Sequence, residues 1–173
     1  MDLFYRLGIE RKKNEVLIQS VVEYDEQKVR KAELTPQEPF EMEISEGKNL
    51  YDIIGYQDTS NFAISKRLYD LLKENDITGW KGYEISIKRQ SGLYYGFQVT
   101  GKCGKLDMPK EAGFYTGLKF NYDSWDKSDF FSPDETMSLF CTEKVEKLFK
   151  KHKITNAELV DINIVQAYSV GDF

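Results

Sequence analysis

The stretch SKRLYDLLKENDITGWKGYEI, beginning at Ser65, returns in outline as TEKVEKLFKKHKITNAELVDI, beginning at Thr142, 77 positions on. Each copy opens on a small hydroxyl residue suited to accept a bond from an orphan N–H at a helix start. Ile64, Leu68, Leu71 and Leu72 then follow at the spacing of one helical face, and Cys141, Val145, Leu148 and Phe149 repeat them. Charged residues end both stripes, with Asn75 placed to take a left-handed cap and His152 standing at the matching position. Ile77-Thr78 and Ile154-Thr155 come next, followed by the turn residues Gly79 and Asn156 and then a strand-like run. Few paired residues are identical. The units therefore read either as an internal repeat or as two ordinary helix–strand units sharing the same turn chemistry.

The rest of the chain reads mainly as strand. LFYRLGIE and EVLIQSVVEY flank the turn RKKN, and EMEI and LYDIIGY are short strand candidates. Pro36 and Pro39 mark the segment between them as loop or edge. YEISIKRQSGLYYGFQVTGK reads as a hairpin turning at Gly92. Residues 103–135 read as irregular, and AELVDINIVQAY as one strand. The fold class expected is α+β, mostly antiparallel sheet with two main helices, each followed by a strand. No linker-like tract divides residues 1–173, so one domain is expected, or two lobes divided near residue 60.

Composition limits the function classes. A net charge of −5 disfavours a general nucleic-acid binder, which needs a basic face, and suits a basic partner. No run approaches the roughly 20 apolar residues of a membrane span, and the N-terminus has no secretory pattern. Cys103 and Cys141 are the only cysteines, as expected in a reducing cytoplasm. His152, the single histidine, lies in KKHK without an orienting partner, so a Ser-His-Asp triad has no base. Three Cys and His residues in all, widely spaced, do not make a zinc site. DSWDKSD fails as a calcium loop because Trp125 and Lys127 stand where oxygen ligands belong. VTGKCGK lacks the spacing of a phosphate-binding loop. No cofactor is expected.

FNYDSWDKSDFFSPDE is the surface candidate. Tyr122, Trp125, Phe130 and Phe131 would supply apolar anchors, and Asp123, Asp126 and Asp129 would read a basic partner. The competing reading folds these aromatics into the core. A second surface candidate is the hairpin around Tyr94 and Tyr95.

The phrase carried by Phe62, Ile64, Ser65, Leu68, Leu71, Leu72, Ile77, Thr78, Gly79 and Tyr83 resembles the signature of a family of bacterial immunity proteins of polymorphic toxin systems, first grouped as a domain of unknown function. The resemblance covers residues 60–100, with a fainter echo at 138–165. A related group carries paired Cys-x-x-Cys-Gly motifs that this chain lacks, so no metal is implied. The resemblance implies a cytoplasmic inhibitor that binds and neutralises a cognate protein toxin without catalysis. It names neither the toxin nor the binding residues. A protein-binding or scaffold module with a different partner and a carboxylate-based enzyme are the alternatives.

Overall fold

A computed structural model describes residues 2–171. Its strands are β1 (Phe4–Ile9), β2 (Leu17–Ser20), β3 (Phe40–Glu46), β4 (Ile53–Tyr56), β5 (Phe62–Ser65), β6 (Trp80–Ile87), β7 (Tyr94–Val99), β8 (Gly113–Thr116), β9 (Phe130–Phe131), β10 (Leu139–Thr142), β11 (Ala157–Asp161) and β12 (Gln166–Ser169). Three helices, α1 (Glu26–Arg30), α2 (Lys66–Glu74) and α3 (Glu143–His152), accompany them. The fold is α+β and dominated by sheet. Six strands close into a barrel in the order β2-β3-β6-β7-β5-β4, and a second sheet runs β11-β1-β10-β9. β8 and β12 form a separate two-stranded ribbon. All pairings are antiparallel except β2–β4 and β3–β6.

Local chemistry explains the longer helices. The Ser65 hydroxyl accepts from the Leu68 N–H at 3.2 Å and starts α2, which buries Leu68, Leu71 and Leu72. Asp76, one residue beyond Asn75, takes the left-handed conformation there. At α3 the Thr142 side chain makes no capping bond, and its hydroxyl donates to Asp129. Lys153 ends α3 in the left-handed region. α1 lies where the prolines suggested only loop. It ends before Pro36, and Asp25 caps it by accepting from the Lys28 N–H.

The two helix–strand units have the same pairing scheme. Ile53↔Ile64 and Ile54↔Ala63 between β4 and β5 correspond, 77 positions on, to Phe130↔Cys141 and Phe131↔Phe140 between β9 and β10. β7 lies between β5 and β6, pairing Ser65↔Tyr94 and Trp80↔Val99. In the second unit that middle place is filled from the N-terminus by β1, in the same register: Thr142↔Phe4 and Ala157↔Ile9. The order β4-β5-β7-β6 is thus matched by β9-β10-β1-β11.

The central core lies between the units and takes matching residues from each: Ile53 and Phe130, Ile64 and Cys141, Leu68 and Val145, Leu72 and Phe149, Phe97 and Leu7. β4, β5 and β7 are buried on both faces, since Ile54, Ala63 and Tyr94 point the other way into the barrel interior. A third cluster around Phe4, Trp125, Phe131 and Phe140 lies behind the second sheet. Cys103 and Cys141 are buried free thiols in different clusters, and burial pushes Cys103 up to about 12.

Two buried aspartates join the units by exchange. The Thr155 N–H and hydroxyl both donate to Asp52 Oδ2 at 2.9 Å, and the Asp52 N–H donates back to the Thr155 hydroxyl at 2.8 Å. The Thr78 N–H and hydroxyl donate to Asp129 Oδ2 at 3.0 and 3.2 Å, and the Asp129 N–H returns a bond to Thr78 at 3.0 Å. Ser65 and Thr142 donate to the other carboxylate oxygens. Arg67 and Lys144 complete the pairs as their cations. Each unit's aspartate holds the other unit's Ile-Thr turn.

One glycine fixes the spacing inside the barrel. A Cβ on Gly96 would stand 2.0 Å from Cζ of Tyr83, which is buried with its hydroxyl 2.9 Å from that of Tyr56. Gly96→Ala is expected to cost about 3 kcal/mol and lower Tm by roughly 6–12 °C. Thermal denaturation checks this, and an unchanged Tm would show that the tyrosine pair can shift.

Candidate interaction surface

β8 and β12 are 50 residues apart in sequence but pair residue for residue, from Gln166↔Thr116 to Ser169↔Gly113. An isolated two-stranded ribbon is marginal in water, so one face must be anchored. Tyr115 and Ala167 pack inward on the third cluster, and the Ser169 hydroxyl donates to the Pro109 carbonyl at 2.8 Å. The alternation then turns Phe114 and Tyr168 outward as a directly paired couple. Their rings meet edge to face at 5.1 Å. Phe114 is 86% exposed and Tyr168 55%, with Ile164 and Val170 also exposed on β12's flanks. This concentrates large apolar side chains on one small element.

Next to the ribbon lies a cavity of about 580 Å³, lined by Phe4, Leu118, Phe120 and Ile162, with Asp2 and Tyr122 among its polar residues. The bonds from Gly117 N–H to Val165 and from Leu118 N–H to Ile162 carry the ribbon's pairing to its edge. The Tyr122 hydroxyl donates to the Asp2 carboxylate, a bond that raises its pKa. The Lys127 ammonium lies 3.5 Å from the centre of the Tyr122 ring.

The structure separates the residues of the aromatic-acidic segment. Tyr122 and Asp123 are exposed in a short 3₁₀ turn, Tyr122–Ser124. Trp125 is 8% exposed, packs on Phe4 and Phe131, and donates through Nε1 to the Ser128 carbonyl. Phe130 and Phe131 are fully buried in two different clusters. Asp129 is the buried hub between units. Asp126 is exposed, but its carboxylate accepts from the Lys102 and Ser128 N–H groups and so fixes the loop. Tyr122 and Asp123 remain as accessible contacts and Asp126 is exposed but tied to its own loop, while hydrophobic burial takes Trp125, Phe130 and Phe131 inward. Of the hairpin pair, Tyr94 is buried and Tyr95 stacks on Tyr69 at 4.0 Å.

Sequence reasoning missed Phe114 and Tyr168. GFYT is too short to show an alternation, and its partner lies far along the chain, so only the three-dimensional pairing exposes the couple. Among the described residues no three His, Cys, Asp or Glu side chains gather as metal ligands, and no helix is long and apolar enough to cross a membrane.

No family model and no curated protein matches the chain.

Proposed function

We propose that this chain is a cytoplasmic, non-catalytic binding protein that engages a protein partner through the outer face of the β8–β12 ribbon. The observation that carries the reading is the exposed, directly paired Phe114 and Tyr168. A pair of large aromatics on a rigid sheet offers buried area at little entropic cost, which is how a few residues dominate an interface. Tyr122 and Asp123, near the adjoining cavity, extend the surface with a polar rim.

The partner proposed is a cognate toxin, held inactive by occlusion. The motif running from Phe62 to Tyr83 supports this, and the net charge of −5 suits a basic partner by speeding encounter. The proposal also treats the two helix–strand units as products of a duplication, supported by their common register and exchanged aspartates.

The test is co-expression with the product of the adjacent reading frame, followed by size-exclusion chromatography. Co-elution of the two chains at fixed stoichiometry is expected. Separate elution of two folded proteins would contradict the reading.

A further inference from the structure

Among the described residues, two buried side-chain polar atoms have no hydrogen-bond partner: Nη1 of Arg30 and Oδ1 of Asn61. Both residues line the same cavity of about 350 Å³, at the seam between β1 and the β4–β5 turn. Buried polar groups are nearly always satisfied, so two orphans on residues that wall one cavity require an explanation.

Arg30 ends α1 and is 5% exposed. Its guanidinium lies 5.3 Å from the centre of the Phe62 ring, and among the described residues no carboxylate comes within 4.0 Å of it. Asp58 is the acid that faces it, but that carboxylate is occupied by the Tyr24 hydroxyl, the Ser60 and Asn61 N–H groups and Asn61 Nδ2. Burial pushes the guanidinium down to about 10, which leaves it charged at neutral pH. Asn61 is oriented by its own bonds. Its Nδ2 donates to the Glu26 carbonyl at 3.0 Å and to Asp58 at 2.8 Å, which fixes Oδ1 as the free acceptor. Arg11 lines the cavity as well, tethered to Glu15 only at 3.5 Å, and among the described residues no acidic one lines it. Thr59, a β-branched residue on the wall, is held at φ 63°, a conformation that such residues rarely adopt outside sites that need it.

We propose that this cavity binds a small oxyanion that also carries an O–H or N–H donor, of the class of hydrogen phosphate or a hydroxy carboxylate. The oxyanion accepts from Arg30 Nη1 and from Arg11, and the donor serves Asn61 Oδ1. The size lies at the small end of ligand pockets. The site stands apart from the partner surface and does not depend on it.

Calorimetric titration with inorganic phosphate at pH 7 tests this, with sulfate as the matched anion that has no donor. Glycolate against acetate repeats the comparison for carboxylates and tells the two sources apart. One phosphate per chain with Kd below about 1 mM is expected, with sulfate at least about tenfold weaker. Arg30→Met should abolish the phosphate heat while raising the Tm of the unliganded protein by roughly 2–4 °C, because it replaces an unpaired buried charge with an apolar chain. Arg11→Ala, at a half-exposed position, should weaken phosphate about tenfold in a folded protein and serves if Arg30→Met does not fold. The proposal is overturned if neither phosphate nor glycolate gives heat, if donor-bearing and donor-free anions bind alike, if the folded variants bind as the parent does, or if crystals grown in phosphate hold only water on Arg30.

Discussion

Replacing Asp52 with alanine is expected to destabilise the protein by about 4 kcal/mol, because one buried carboxylate serves two units at once. It accepts from the Thr155 N–H and hydroxyl, from Ser65 and from Arg67, whose Nη2 approaches to 2.5 Å. Removing it strands the Thr155 N–H at the seam and frees a turn that folds over the central core. Arg67 is half exposed and resolvates, so the cost lies in the lost turn rather than in the ion pair. Urea unfolding should show a lower midpoint at unchanged slope. A shift worth less than about 1 kcal/mol would show that the exchanged bonds do not hold the units together.

The same residue predicts the acid limb of stability. Burial pushes the Asp52 carboxyl up, but the bonds from Arg67, Thr155 and Ser65 outweigh it, and the folded pKa falls below 3.8. The stability this adds is complete above the unfolded value and is lost as pH falls through the folded one. The parent should therefore weaken below about pH 4 more steeply than Asp52→Asn. Equal pH slopes would contradict the assignment.

The second large effect concerns binding. Changing Phe114 and Tyr168 together to serine should leave the fold standing, at a cost of about 1 kcal/mol for the lost ring pair, since both side chains face solvent. Partner affinity should fall by roughly 10²–10³-fold, the combined loss of two aromatic anchors. Trp125 is unsuitable for such a test. It packs against Phe4 and Phe131 in the third cluster, so its loss would disturb the core and confuse binding with folding.

The parts legible in the sequence were the local ones. Ser65 and the Leu68, Leu71 and Leu72 stripe announce α2 because cap and period lie within one short window. The β6–β7 hairpin is equally local, turning just before Gly92. The middle strand of the second unit left no such mark. β1 reaches it from the opposite end of the chain, and pairing over that distance has no periodic signature. One further signal was present. Asp52-Ile53-Ile54 and Asp129-Phe130-Phe131 stand at the same 77-residue offset, each an acid before an apolar doublet, which extends the likeness upstream of the helices. Read that way, Phe130 and Phe131 are core strand and Asp129 is a hub, as the structure has them. The exposed couple of Phe114 and Tyr168 could not be read, because apolar residues in a loop look alike whether they turn inward or outward.

The most direct measurement is growth rescue. The adjacent reading frame would be expressed alone, with this chain, and with its Phe114→Ser/Tyr168→Ser variant at equal soluble level. The account predicts toxicity from the neighbour, full rescue by the parent chain and loss of rescue by the variant. A harmless neighbour, a folded parent that does not rescue, or a variant that rescues as well as the parent would contradict it.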